Sequence, residues 1–207
     1  MRILTASYVL PISAPPIEGG AVVIDGSEII GVGRREEITA QFPAAEVKDF
    51  GEAAILPGFV NCHSHLEITS MRGALDDVEH NFSAWLLKLN GIRESLSEQD
   101  IRTAAIAGAV EGMQAGVTCF GDIGRYGVAG FEALKAAGLR GVLFQETEFS
   151  ADDRTAEDDF GSLIDKFETL RASETDLVKV GISPHSAYTV SPRLFDLIAD
   201  FCVERAY

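Results

Sequence analysis

Basic residues are scarce in this chain. Lys and Arg total 17 against 32 Asp and Glu in 207 residues, a formal net charge of −15. That charge repels nucleic acid and anionic membrane surfaces, so neither is expected as a partner. Cysteine is scarce too. Cys62, Cys119 and Cys202 lie far apart, form no CxxC pair and outline no zinc ribbon. An odd number of thiols without a secretory signal fits reduced cysteines in a cytoplasmic protein. Arg2, Thr5, Ser7 and Pro11 interrupt the partly apolar start, which makes it a poor signal segment. No apolar run approaches the ~20 residues of a membrane span. No GxGxxG follows a strand, which counts against a dinucleotide-binding sheet. What remains is ordinary for a globular protein: 46% hydrophobic and 24% charged residues.

The chain changes character at Leu56-Pro57-Gly58. Ahead of it lie strand-like runs at residues 2–10, 20–25, 28–32 and 53–56, and a short helix at 34–42. Asp25-Gly26, set between two apolar runs, signals a hairpin. This unit, residues 1–56, holds few apolar side chains and needs further strands to close its core. Over residues 57–207 strands and helices alternate. Strands are expected at 58–64, 117–121, 139–145 and 177–183, with an amphipathic piece around 82–92. One helix opens on a capping box, Ser97-Glu98-Gln99-Asp100, and stops at Gly116; a second, 128–137, stops at Gly138. Two more follow, at 158–172 and from Ser191-Pro192 onward. Four strand–helix units in series predict parallel strands and right-handed crossovers. An open doubly wound sheet and half of an eight-fold barrel both satisfy that pattern.

The strongest chemical signal is Pro57-Gly58-Phe59-Val60-Asn61-Cys62-His63-Ser64-His65. Histidines at i and i+2 on a strand point to one face, and neutral imidazole is a good ligand for Zn²⁺ or Fe²⁺. The plain alternative is two ordinary histidines at a strand end.

This segment resembles the first barrel strand of the amidohydrolase superfamily, in the branch of cytosine-, guanine- and adenosine-type aminohydrolases, aminodeoxyfutalosine deaminases and triazine chlorohydrolases. Three further segments agree in order and spacing. They are Phe82–Leu86 with Trp85, Glu111-Gly112-Met113-Gln114-Ala115-Gly116-Val117-Thr118 followed by Asp122, and Ser183-Pro184-His185-Ser186-Ala187-Tyr188. The resemblance implies an α/β fold: the first half, four βα units, of a TIM-type (β/α)8 barrel, residues 57–207, preceded by part of a small β-sandwich domain, residues 1–56. It implies His63 and His65 as ligands of one divalent metal ion, Zn²⁺ first and Fe²⁺ second. His185 would contact a small heterocyclic substrate, with Glu67 and Glu146 as further contacts. Gln145, Glu146 and Glu148 end the third strand, where one or two of them face inward; Asp122 is placed alike, as a structural or a functional acid. His80 sits in a polar loop, exposed to solvent.

The resemblance also implies residues that this sequence does not contain: a strand-five histidine with a proton-shuttling glutamate, a strand-six histidine and a strand-eight aspartate. No catalytic proton shuttle is therefore expected in the chain, which reads as a piece of a protein of roughly twice its length and inactive alone. The whole protein is expected to hydrolyse a carbon–nitrogen bond, deaminating a purine-like or other N-heterocycle, and the resemblance implies a homo-oligomer, as is common in the superfamily. Ser83 and Ala84 stand where some nucleoside deaminases carry a ribose-binding glutamate, which counts against methylthioadenosine or adenosylhomocysteine unless Glu67 or Glu146 takes over. The alternatives are a chlorohydrolase or cyclic amide hydrolase on the same barrel, and a non-catalytic half-barrel binding protein.

Overall fold

The computed structural model describes residues 1–147 and 149–205. It divides into two compact units, Met1–Gly58 and Phe59–Tyr207, a division just past the expected one at Pro57.

The first unit contains β1 (Arg2–Val9), β2 (Ile17–Asp25), β3 (Glu28–Arg34), α1 (Arg35–Gln41), β4 (Glu46–Asp49) and β5 (Ala54–Ile55). Its sheet runs β3-β2-β1-β4, with β5 also on β1. The β2–β3 hairpin closes with Asp25 opposite Glu28, and Gly26 takes the positive φ of +59° that a tight turn requires. Strand β4 was not expected. Its residues are all exposed, so it has no apolar alternation to read; backbone pairing with Arg2 to Thr5 holds it in place. Ile3, Ala21, Val23 and Ile38 form a small core under α1. Ile29, Ile30, Val32 and Val47 remain exposed, consistent with a sheet too small to cover itself.

The second unit contains β6 (Phe59–Ser64), α2 (Phe82–Ser95), α3 (Glu98–Gln114), β7 (Val117–Gly124), α4 (Val128–Ala137), β8 (Arg140–Thr147), α5 (Ala156–Arg171), β9 (Val178–Pro184) and α6 (Pro192–Arg205). The sheet order is β6-β7-β8-β9, and every pair is parallel. The expected capping box is present: the Ser97 hydroxyl accepts from the Asp100 N–H and the Asp100 carboxylate accepts from the Ser97 N–H. Gly138 ends α4 in the left-handed conformation. The polar stretch after β6, left unassigned by the sequence, is a 3-10 helix at Leu66–Met71.

One face of this sheet carries the core. Phe120, Leu143, Val178 and Val180 meet Ile101 and Ala105 of α3, Phe131 and Leu134 of α4, and Phe167 and Leu170 of α5. Strand side chains alternate, so Cys119, Ile123, Phe144 and Glu146 belong to the opposite face. Among the described residues β6 and β9 each pair along one edge only, and Phe59 and Val60 on β6 are exposed.

Two substitutions separate packing from capping. Phe131→Ala removes a buried aromatic ring and should destabilise the chain by about 3–5 kcal/mol, whereas Ser97→Ala should cost about 1 kcal/mol. Urea unfolding of both variants beside the parent chain checks the ranking, and equal losses would contradict it.

Candidate active site

The C-terminal ends of β6 to β9 lie at one end of the sheet because the strands are parallel. His63 belongs to β6, and His65 follows its last residue and starts the 3-10 helix. Their rings lie edge to face with centroids 5.1 Å apart. His65 Nδ1 is 3.0 Å from the carbonyl oxygen of Ile123 on β7. A carbonyl only accepts, so Nδ1 carries the proton and Nε2 carries the lone pair. This is how protein groups prepare an imidazole to bind metal: one ring nitrogen is tied down by its hydrogen bond and the other becomes the ligand.

The turn after β6 is fastened by two buried carboxylates. Asp122 Oδ1 accepts from the Ser64 hydroxyl at 2.9 Å and from the Leu66 N–H at 2.8 Å. Glu67 reaches α4. Its Oε1 accepts from the Tyr126 N–H at 3.1 Å and the Gly127 N–H at 2.7 Å, and its Oε2 lies 3.3 Å from the Tyr126 nitrogen. Helix α4 has no side-chain cap of its own, since Gly127 precedes it, so Glu67 supplies the negative group that a helix N-terminus favours. The fit is tight: a Cβ on Gly130 would collide with Asp122 Oδ2, and one on Gly127 with Gln145 Oε1.

Burial pushes the Asp122 carboxyl up from the ordinary 3.8, against the pull of the Leu66 N–H, the Ser64 hydroxyl and His65. Burial also raises the Glu67 carboxyl above 4.5, while the Gly127 and Tyr126 N–H groups and Arg93 draw it back and Asp122 adds to the rise.

These contacts correct the expectation for Glu67. It is 2% exposed, and its oxygens are engaged by backbone, so it braces the turn and has no surface to offer a substrate. Asp122 is buried in the same network, and Gln145 is buried with its amide donating to the carbonyls of Arg125 and Glu146. Glu148 lies outside the described residues. His80 is exposed and lies 3.4 Å from Glu79.

The other expected residues form a second pair. His185 follows β9, and its Nδ1 lies 2.7 Å from Oε1 of the buried Glu146. Trp85 of α2 stacks on Phe82, with ring centroids 6.2 Å apart and planes inclined by 16°. Ser83 is exposed beside them. Neither the Ile123 carbonyl nor the Glu146–His185 contact was legible from sequence, because each joins residues far apart along the chain.

Among the described residues no group of three or more His, Cys, Asp or Glu side chains is arranged to hold an ion; His63 and His65 stand together as a pair. The donor set still fits a divalent metal, because His65 presents Nε2 and His63 stands beside it.

The model of the amidohydrolase family matches residues 54–206. The chain belongs to the amidohydrolase family. Within it, the chain is 30% identical over 181 residues to a 5-methylthioadenosine/S-adenosylhomocysteine deaminase of Nitratidesulfovibrio vulgaris, covering 86% of this chain and 40% of that protein. Its fold matches Helicobacter pylori aminofutalosine deaminase with a TM-score of 0.84 at 23% identity, covering 100% of this chain and 49% of that one. Atrazine chlorohydrolase from Arthrobacter aurescens, solved with zinc, gives 0.82 at 18% identity, covering 100% and 51%. This amidohydrolase chain thus spans about two fifths to one half of the length of those proteins, and its four βα units have the fold of the first half of their barrel, as expected.

Removing the brace should be costly. Glu67→Ala leaves buried N–H groups unpaired and should destabilise the chain by about 2–3 kcal/mol, while Glu67→Gln, which keeps an acceptor, should cost about 1 kcal/mol. Denaturant unfolding distinguishes the two. The pH dependence has a definite sign. A carboxyl raised in the folded state contributes its stability in full below its unfolded value and loses it as pH rises through the folded one. Asp122→Asn keeps the Oδ1 acceptor without the charge, so it should gain stability relative to the parent as pH rises from about 4 to about 8. Unfolding curves in chelator across that range check this, and a constant difference would contradict it.

Proposed function

We propose that the whole protein is a metal-dependent hydrolase that deaminates a purine-like heterocycle. The observation that carries this reading is the His63–His65 pair at the end of β6, with His65 held as the Nδ1–H tautomer by the Ile123 carbonyl. Zn²⁺ is the first choice of metal, supported by imidazole ligation and by the zinc in the chlorohydrolase structure, with Fe²⁺ second. When bound, such a metal lowers the pKa of water toward neutrality and so supplies a nucleophile at neutral pH.

The chain's own residues would do the following. His63 and His65 each give one nitrogen lone pair to the site. The Ile123 carbonyl fixes the His65 ring, and Asp122 and Glu67 hold the turn that carries it. His185 addresses the substrate from the end of β9, with Glu146 behind it. Phe82 and Trp85 offer an aromatic surface on α2. The proton shuttle would come from residues beyond this chain.

A purine-like substrate is supported by two relatives, the methylthioadenosine/adenosylhomocysteine deaminase and the aminofutalosine deaminase, the latter solved with methylthio-coformycin. Ser83 and Ala84 carry no carboxylate, and Glu67 is engaged elsewhere, which favours an aminodeoxyfutalosine-type or other substrate whose ribose is not clamped by that glutamate. The chlorohydrolase likeness sustains dehalogenation or cyclic amide hydrolysis as the second reading. A cytoplasmic location belongs to this proposal and is supported by three free cysteines. No helix among the described residues is long and apolar enough to cross a membrane. The proposed partner is the small-molecule substrate, with a second copy of the protein as the other candidate; the acidic charge argues against nucleic acid.

The test is to express the chain with whatever coding sequence follows Tyr207 and assay metal content and ammonia release from purine nucleosides. The expected result is about one equivalent of divalent metal. His63→Ala and His65→Ala should each lower kcat/KM by about 100-fold or more, since mere partners of metal ligands cost about 10–100-fold. Full activity in the double variant would overturn the proposal.

A further inference from the structure

The loop after β7, which carries the acceptor of His65, is held from two sides. Its amides, those of Tyr126 and Gly127, meet the Glu67 carboxylate. Its carbonyls meet β8. Gln145 is fully buried, and its Nε2 lies 3.0 Å from the Arg125 carbonyl oxygen, 3.1 Å from that of Glu146 and 3.4 Å from that of Gly124. The ladder sets this reach: Gln145 lies opposite Gly124 of β7, and it shares the core face with Leu143 two residues before it. Its Oε1 is buried without a hydrogen-bond partner among the described residues, in the space that a Cβ on Gly127 would take. A buried acceptor left bare is costly, so the value of this side chain lies in its donors. Turning the amide over would set its oxygen against three carbonyl oxygens, so the contacts fix its orientation.

Gly124 separates Ile123 from this grip. A glycine imposes little on its own φ and ψ, and a Cβ here would come within 2.9 Å of Glu67 Oε1 and 3.0 Å of the Gly127 Cα. The direction of the Ile123 carbonyl, whose oxygen is 3.0 Å from His65 Nδ1, therefore depends on what holds the loop on the far side of Gly124. We infer that Gln145 is a positioning residue for His65: from β8 it holds the loop after β7 so that the Ile123 carbonyl meets Nδ1 and Nε2 is left for a metal. Gln145 acts through backbone, two strands away from the ring it serves, and touches neither metal nor substrate. The inference rests on the reading of His65 as a metal ligand, but the state of the ring is measurable without metal or activity.

The test compares the whole protein with its Gln145→Met variant, which keeps the bulk and removes the donors. Long-range ¹H–¹⁵N correlation spectra of the metal-free proteins are recorded about two pH units above the ordinary imidazole value of about 6.5, and the signals lost in His65→Gln assign that ring. The parent should show a protonated Nδ1 and a bare Nε2. Gln145→Met should move a substantial part of the proton to Nε2 and raise the Zn²⁺ dissociation constant by about 10-fold, the lower end of what outer partners of metal ligands contribute. Leu194→Ala opens a cavity in the separate cluster around α6 and is the control for a general loss of stability; it should leave both readouts unchanged. A parent ring protonated on Nε2 overturns the inference. So does a folded Gln145→Met protein in which either readout matches the parent, or an equal tautomer shift in Leu194→Ala. If Gln145→Met does not fold, Gln145→Asn, whose amide falls one methylene short of the carbonyls, is read by the same criteria. A parent that binds no Zn²⁺ overturns the proposed function and leaves the tautomer to judge the role of Gln145 by itself.

Discussion

The end of β6 depends on where the backbone amides of two turns find acceptors. The chain leaves the sheet after Ser64, and the loop before α4 comes to lie against it. Leu66 and Gly127 are buried there, and a buried N–H without a partner is expensive. Asp122 and Glu67 meet that need from opposite sides: one accepts from Leu66, the other from Tyr126 and Gly127. The same turn carries His65, whose ring is pinned to the Ile123 carbonyl. Rigid backbone accounting and the orientation of a candidate metal ligand are therefore one structure. Burial raises both carboxyls, and that cost is the counterpart of fastening the turn.

The candidate site is organised as two pairs, each made by a neighbour in the parallel sheet. His65 is oriented by β7, and His185 is oriented by β8. In both cases Nδ1 of the imidazole lies within hydrogen-bond distance of an oxygen on the neighbouring strand. The acceptors differ in kind: a neutral carbonyl behind the proposed metal ligand, a carboxylate behind the proposed substrate contact. Family membership gives these arrangements a setting. The solved relatives are about twice as long.

Much of the fold was legible in the sequence because its signals are local. Ser97 and Asp100 announced a helix start, Gly138 a helix stop, and Asp25-Gly26 a hairpin, each through chemistry confined to a few residues. Strand β4 was not legible, since all its side chains are exposed and only backbone pairing to β1 defines it. The 3-10 helix after His65 was missed for a related reason: carboxylates supplied from outside or turned outward from it stabilise the turn, not its own periodicity.

By itself the sequence determined the alternation of strands and helices, the pairing of His63 with His65 by their spacing, and the placement of His185 at a strand end. Two residues apart along one strand stay close in any fold. The tertiary structure alone decided what each acid meets. Glu67 and Glu146 look equivalent as letters, one just past the end of a strand and one near the end of another. Parallel register put Glu146 against an imidazole, and the packing of α4 put Glu67 against bare helix amides. The role of a carboxylate follows from the donor it meets, and the donors here lie 39 and 60 residues away along the chain.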